Sequence, residues 1–479
     1  MNFKMIGYLT AKIMLIGAAM LVPPLIVSFI YHDGCHIPFL ITIAVFLLLS
    51  IPGFIKPKKT HMFAKDGLMI VVLAWIVFSA VGALPFYLSR EIPSYIDCLF
   101  ETVSGFTTTG SSILTEVEHI SKSLLFWRSF THWIGGMGVL VFAMAIFSGK
   151  DAKTTHIMRA EMPGPTLGKL ASKWQFSVRI LYGMYAFLTF VEFIMLLFGG
   201  MNVFDSLVHS FGTAGTGGFS VKNISIGYYK SPYIQYTIAV FMMLFGINFN
   251  IYYLLLVKKF QKVKANSELK TYLTIIVVAT VVIMLNIYKI YNGFEMALRQ
   301  AFFQVASTVT TTGYATANFD LWPQLSRTII FILMFVGGCA GSTGGGLKVL
   351  RVSVLVKSAL SAVRKSVSPK RVLTIKNDGR TIDGNEVEGV VTYFVCYVVF
   401  MFASLIVLSL DSIDLETALT AVVTTINNIG PGLGKMIGPA GNFHDMSVLS
   451  KIVLSIDMLA GRLELYPVLM LFMPEIWKR

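Results

Sequence analysis

Charge is scarce in this chain. Only 13% of its 479 residues are Asp, Glu, Lys or Arg, while 55% are hydrophobic. A soluble globular protein carries about 25% charged residues, so a water-covered surface cannot be assembled from this composition. Cysteine is also sparse. Cys35, Cys98, Cys339 and Cys396 lie far apart without metal-ligand spacing, which excludes a disulfide scaffold or a zinc module. Neither H-E-x-x-H nor G-x-S-x-G occurs, and the eight histidines are scattered, so the signatures of a membrane hydrolase are missing. No G-x-G-x-x-G stands between a strand and a helix, and no Gly/Ser linker sets off a soluble domain. The longest polar segments are 148–176 and 357–387.

Long apolar runs are abundant instead. Crossing the hydrocarbon core takes about 20 mostly apolar helical residues. Runs of that size fall near 8–30, 36–55, 67–89, 124–147, 178–200, 232–257, 271–291, 327–356, 388–410 and 447–473, predicting an all-α polytopic membrane protein with ten spans. The first run follows basic residues like a signal peptide, but no small-residue cleavage site succeeds it, so it is read as a retained span.

The net charge of +14 is placed by topology rather than by nucleic acid. Lys56, Lys58, Lys59 and Lys65 follow the second run, and Lys150, Lys153, Arg159, Lys169 and Lys173 follow the fourth. Lys258, Lys259, Lys262, Lys264 and Lys270 follow the sixth, and a dense run from Arg351 to Arg380 follows the eighth. The intervening loops 31–38 and 199–205 are nearly free of Lys and Arg. The positive-inside rule then places both termini in the cytoplasm.

Four small-polar stretches interrupt the apolar pattern: "SGFTTTGSS" from Ser104, "TAGTGGFS" from Thr213, "TVTTTGYAT" from Thr308 and "TTINNIGPG" from Thr424. Each follows an apolar segment too short to cross: "YIDCLFETV", "VFDSLVHSF", "EMALRQAFFQVAS" and "LETALTAVV". Segments of that length are better read as re-entrant. The repeated unit is span, half-helix, small-polar loop, span, dividing the chain into an accessory hairpin (1–56) and repeats at 57–150, 151–260, 261–370 and 371–479.

Irregular backbone at membrane depth is tolerated only where protein buries it or it lines a water-filled cavity. Four such loops converge most simply on one axis. Thr107-Thr108-Thr109-Gly110 can run extended with its carbonyls inward, the glycine taking a backbone angle that other residues resist. Rings of inward carbonyls replace the hydration shell of a monovalent cation, and half-helices that end there aim their negative dipole ends at it.

On the motifs "TTTG" (107–110), "TGGFS" (216–220), "TTTGY" (310–314), "NNIGPGLG" (427–434), "GGCAGSTGGGLK" (337–348) and "MLAGRLELYP" (458–467), residues 57–479 resemble the Trk/Ktr family of bacterial potassium uptake proteins. The N-terminal hairpin resembles the extra helix pair of Trk-type members. The resemblance implies a K⁺ selectivity filter built from Thr107, Thr108, Thr109 and Gly110; Gly215, Thr216, Gly217 and Gly218; Thr310, Thr311, Thr312 and Gly313; and Asn427, Asn428, Ile429 and Gly430. Gly218 is preferred over Gly217 as the second filter glycine because Phe219 then matches Tyr314. Sodium-preferring relatives often have serine at the first of these positions, so four glycines imply potassium. The glycines of 337–346 break a helix, and the stretch resembles the family's intramembrane gating loop, with Gly337, Gly338, Gly341, Ser342, Thr343, Gly344, Gly345 and Gly346 as its residues. It is not a phosphate loop: Gly346 is followed by Leu347, Lys348 and Val349 where Lys-Ser/Thr is required.

Arg462 lies within the last run, where a charge is a functional hypothesis by default; the resemblance implies an electrostatic barrier below the filter, against an alternative of ion pairing with Asp457 or Glu464. Asp97 and Asp205 each precede a filter glycine by thirteen residues and are candidates either for concentrating cations at the pore mouth or for capping a helix. The resemblance further implies a homodimer in the bacterial inner membrane, bound to a cytoplasmic nucleotide-binding regulatory subunit, this chain having no nucleotide site. The alternative is a symporter coupling potassium to protons or sodium, for which Glu192 and Asp457 are the available titratable groups.

Overall fold

The computed structural model describes residues 1–58, 63–138, 174–291, 293–368, 374–378 and 380–474. Helix α1 (Phe3–Met20) continues into α2 (Val22–Tyr31), and α3 (His36–Ser50) returns alongside them. Pro23 and Pro24 mark the break at the first turn of α2, where a missing N–H costs no helical bond.

One order of elements then recurs four times: a long helix, a short helix, an extended segment and a further, mostly interrupted, helix. The first quarter holds α4 (Ala64–Gly82), the single-turn α5 (Leu84–Leu88), the short α6 (Tyr95–Phe106) and α7 (Lys122–Gly136). In the second are α8 (Trp174–Phe198), the short α9 (Val203–Gly215), α10 (Pro232–Phe245) and α11 (Phe249–Leu256), with α12 (Phe260–Ala265) as a linker. The third has α13 (Ser267–Tyr291), the short α14 (Phe294–Val309), α15 (Gln324–Val336) and α16 (Val349–Val367). The last has α17 (Gly384–Leu408), the short α18 (Leu415–Ile426), α19 (Val448–Arg462) and α20 (Tyr466–Leu471). A small antiparallel hairpin, β1 (Lys376–Asn377) with β2 (Arg380–Thr381), precedes α17, so the chain is not wholly helical.

Among the described residues, six helical stretches are long and apolar enough to cross a membrane, or seven if α10 and α11, bent by 89°, are counted as one. The other three expected runs are not single continuous helices among the described residues. At 124–147 the described helix stops at Gly135-Gly136, at 327–356 it breaks from Gly337, and at 447–473 it stops at Arg462. Glycine and an internal charge end helices that hydropathy alone would continue. The basic residues at 150–173 lie outside the described residues.

The short helices start by design of their caps. Ser94 accepts from the amide of Asp97 at 3.4 Å, Asn202 from that of Asp205 at 2.8 Å, and Asp414 from that of Thr417 at 2.9 Å, each satisfying an orphan donor of the first turn. Their later turns are buried on every face: Phe100 through Phe106 are all interior. They therefore run into the protein rather than along its surface.

An aromatic stack ties the N-terminal helices to the first quarter. Phe46 of α3 meets Phe78 of α4 at 5.4 Å, Phe78 meets Phe106 at 5.9 Å, and Phe106 meets Trp127 edge-on at 5.8 Å, the geometry that aromatic quadrupoles prefer. Asp33, in the turn before α3, adds a polar anchor: it accepts from the Ser28 hydroxyl at 2.6 Å, the Cys35 amide at 3.2 Å and the Ser123 amide of α7 at 2.9 Å. Burial raises its carboxyl, but the hydrogen bonds from Ser28, Ser123 and Cys35 outweigh it and hold the group below the usual carboxylate range. A carboxyl depressed in the folded state contributes stability at neutral pH and loses it only as pH falls through the folded value. Asp33→Ala is expected to destabilise the protein by about 1–3 kcal/mol, read by thermal unfolding in detergent at neutral pH, with the difference from wild type vanishing in strong acid.

Candidate functional site

All four short helices end in the same turn. The amides of Thr108, Thr216, Thr311 and Asn428 return to carbonyls three residues back at 3.1, 3.0, 3.1 and 3.2 Å. The next amides, of Thr109, Gly217, Thr312 and Ile429, return five residues back to Ser104, Gly212, Ser307 and Thr424 at 2.9, 2.8, 2.8 and 2.9 Å. This is the helix stop whose pivot residue is left-handed, a place usually taken by glycine. Here the pivots are three threonines and an asparagine, with φ of 57, 55, 58 and 55°. A β-branched residue in that region stores backbone strain. Two residues on, Gly110, Gly218, Gly313 and Gly430 are again positive, at 81, 77, 84 and 103°. The alternation fixes the register of the second stretch at Gly218 rather than Gly217.

The four turns meet as a closed ring. A Cβ at Gly110 would run into the carbonyl oxygen of Gly217, one at Gly218 into that of Thr312, and one at Gly313 into that of Ile429. A Cβ at Gly430 would come within 2.8 Å of the carbonyl of Thr109, closing the circle from the fourth quarter to the first. The same four glycines line one cavity of about 140 Å³, together with Ser111, Phe219, Ala315 and Pro431. All sixteen residues expected in the filter thus fall in these four turns, where backbone carbonyls approach each of the four glycines. Oxygen-only, uncharged ligation suits a hard monovalent cation.

Side chains brace each quarter against the next. Arg128 of α7 pairs with Glu101 of α6 at 2.5 Å, both almost wholly buried, and reaches the Ser220 carbonyl at 3.0 Å. Glu101 also accepts from the Ser112 hydroxyl and the Ile113 amide, each at 2.9 Å. Arg128 stacks over Phe219 at 3.5 Å. His132 Nδ1 donates to the Gly105 carbonyl at 2.8 Å, leaving Nε2 to accept from the Phe219 amide at 3.3 Å. The Tyr314 hydroxyl lies 3.1 and 3.3 Å from the carbonyls of His209 and Phe219. Asn428 donates to the Thr109 hydroxyl at 2.9 Å, and Ser111 to the Gly430 carbonyl at 3.1 Å. Arg128, Glu101 and His132 were not anticipated, although Arg and His four residues apart in "FWRSFTHW" share one helix face and a charge in an apolar helix is itself a signal.

The segment 337–348 packs against the other side of this ring. It leaves α15 at Gly337 (φ 76°) and enters α16 after Lys348 (φ 74°). The Gly345 amide donates to the Thr311 hydroxyl at 2.6 Å. A Cβ at Gly344 would lie 2.9 Å from the Thr310 carbonyl, and one at Gly345 would strike that of Asn427. Arg462 donates to the Thr343 carbonyl at 2.9 Å and to the Gly136 and Gly135 carbonyls at the end of α7. The ion-pair alternative for Arg462 meets other partners: Asp457 accepts from Ser404 at 2.6 Å, and Glu464 is bidentate to Arg351 at 3.0 and 2.7 Å.

Asp97 and Asp205 lie apart from the cavity. Asp97 pairs with Lys451 at 2.6 Å and Asp205 accepts from the Tyr229 hydroxyl at 2.6 Å, so both carboxylates brace helices. Glu192 is fully buried in α8 and faces Thr213 of α9.

The model of the TrkH family, described as "Cation transport protein", matches residues 38–479. The chain is 35% identical to the Trk system potassium uptake protein TrkH of Escherichia coli and 31% identical to that of Halomonas elongata, over the full length of each. It is 31% identical to the Trk system potassium uptake protein TrkG of Escherichia coli over 96% of this chain and 95% of that one. Its structure superimposes on the crystal structure of the potassium transporter TrkH from Vibrio parahaemolyticus with a TM-score of 0.90, 31% identity and full coverage of both chains.

Breaking the Arg128–Glu101 pair leaves one charge buried and unmatched. Arg128→Ala is expected to cost about 3–5 kcal/mol, whereas Glu118→Ala, which removes the more exposed pair with Lys222, costs below about 1 kcal/mol; thermal unfolding of the purified variants checks the contrast.

Proposed function

This chain belongs to the TrkH family of cation transport proteins, and from that premise we propose that it takes up potassium across the bacterial cytoplasmic membrane through the four-turn ring. The observation that carries the reading is the cyclic contact of each filter glycine with the carbonyl preceding the next one. Backbone oxygens held by strained turns cannot collapse onto a smaller ion without moving four helices, so a dehydrated potassium ion is matched by carbonyls alone. The short helices place their carboxyl ends at the ring and add negative potential there. Thr108, whose hydroxyl is buried without a hydrogen-bond partner, belongs to the lining below it.

The segment 337–346 is the gate in this reading. It lies against Thr310, Thr311 and Asn427 on the ring side opposite the cavity, and Arg462 ties it to the end of α7. Arg462 then acts both as a fixed positive charge on the ion path and as a clasp on the loop. Lysine-rich linkers place this side in the cytoplasm, where a nucleotide-binding partner subunit would act on a dimer of the chain. The driving force is the membrane potential, about 2.3 kcal/mol per charge per 100 mV.

A side chain at Gly110 cannot fit beside the Gly217 carbonyl. Gly110→Ser is therefore expected to cut the preference for potassium over sodium by about tenfold or more, the loss of one charge-assisted ligand, measured as flux into liposomes holding the purified protein. Undiminished selectivity would place the filter elsewhere. Glu192 and Asp457 are the buried carboxyls available for proton coupling; a pore driven by the membrane potential uses neither, so Glu192→Gln and Asp457→Asn are each expected to leave potassium flux and its dependence on a proton gradient unchanged, and loss of such a dependence would establish the symport alternative.

A further inference from the structure

Two anchors meet at consecutive residues where α13 begins. From the hairpin, Asp378, a turn residue with φ 49°, accepts from the Ser267 amide at 2.6 Å, the Ser267 hydroxyl at 2.8 Å and the Asn266 amide side chain at 3.3 Å. Asn377 adds an acceptor to the Ser267 hydroxyl at 2.5 Å. On the other side, Glu268 is 6% exposed and its carboxylate accepts from the Ala340 amide at 2.6 Å. Ala340 is part of the glycine-rich segment, flanked by Cys339, whose amide donates to the Gly246 carbonyl at 2.9 Å, and by Gly341, whose carbonyl accepts from the Phe249 amide at 3.0 Å.

The loop is thus seated in the bend between α10 and α11 by backbone bonds and held from α13 by the Glu268 side chain. A buried carboxyl deprived of a hydrogen-bond donor is costly. Lifting the loop alone breaks the bond between Ala340 and Glu268, whereas a shift of the start of α13 carries Glu268 away and removes that restraint, leaving the loop's bonds to Gly246, Phe249 and Arg462. The hairpin is exposed at Lys376, Asp378 and Thr381, where a soluble protein can reach it.

We propose that Glu268 is a positioning residue that holds the gating loop closed, and that the Asp378 hairpin is the handle through which a protein bound on the cytoplasmic face moves it. The inference rests on the reading of 337–346 as the gate. It assigns the link between surface and gate to two adjacent residues, Ser267 and Glu268.

Cys339 is fully buried beside Ala340 and reports loop release directly. In the full chain with Cys35, Cys98 and Cys396 replaced by Ser, labelling of Cys339 by a water-soluble maleimide would be timed in detergent, and potassium flux measured in phosphatidylethanolamine–phosphatidylglycerol vesicles. Glu268→Ala and Asp378→Ala are each expected to accelerate labelling by about tenfold, the loss of one hydrogen bond, and to raise flux. Glu268→Gln, which retains an acceptor oxygen for the Ala340 amide, should return both towards the parent. Asp378 is at the surface, so its variant carries the test if Glu268→Ala does not fold. Parental labelling and flux in Asp378→Ala and Glu268→Ala would overturn the proposal. Gly345→Ala, which drives the loop off the Asn427 carbonyl, separates the two readings: if it leaves flux unchanged, the loop is not the gate, and if it raises flux while the Glu268 and Asp378 variants do not, the gate stands and the latch falls.

Discussion

Backbone approaches backbone at four points around one axis, and the molecule is organised to permit it. Each of Gly110, Gly218, Gly313 and Gly430 presents a bare Cα to a carbonyl of the next quarter, where a methyl group would collide or crowd. From that constraint follow the left-handed pivots, the identical helix stops and the depth to which four short helices penetrate. It also explains why large side chains stand behind the ring and not in it. Arg128, His132, Tyr314 and Asn428 reach across from one quarter to the next and hold the turns in place from outside.

The strain at the pivots is a structural resource. A left-handed threonine costs of order 1–3 kcal/mol, and it persists because helix hydrogen bonds on one side and cross-quarter contacts on the other leave it no alternative. In the first and third quarters the fixing is visible in the hydroxyls: Thr107 bonds Thr109 at 2.8 Å and Thr310 bonds Thr312 at 2.7 Å, while Thr107 and Thr310 also return to the carbonyls of Val103 and Ala306. In the second quarter the pivot Thr216 is flanked by glycines and turns its hydroxyl onto the Gly215 carbonyl at 2.6 Å, and in the fourth the pivot is Asn428. The ring is consequently fourfold in backbone and only approximately so in chemistry.

Much of this was legible in the sequence, for physical reasons. Close backbone approach demands small residues with φ freedom, so the four turns announce themselves against an apolar background, as does the glycine-rich break at 337–346. Hydropathy was less reliable. It counts apolar residues and cannot see that Gly135-Gly136 or Arg462 ends a helix, so runs at 124–147 and 447–473 were read as uninterrupted, whereas the glycines of 337–346 announced the break in 327–356. Choosing Gly218 over Gly217 rested on an aromatic neighbour, whereas the backbone angles show Gly218 as the structural equivalent of Gly110, Gly313 and Gly430. The braces were illegible because their partners lie far apart in the chain: Arg128 meets Ser220, and Asn428 meets Thr109. Asp97 and Asp205 occupy equivalent places in sequence, but only folding reveals Lys451 and Tyr229 as what they face.

The ring closes between Thr109 and Gly430, the first turn and the last. An arc of three quarters would leave the Thr109 carbonyl without the glycine it meets in the complete ring, so enclosure belongs to all four quarters together and to no three of them.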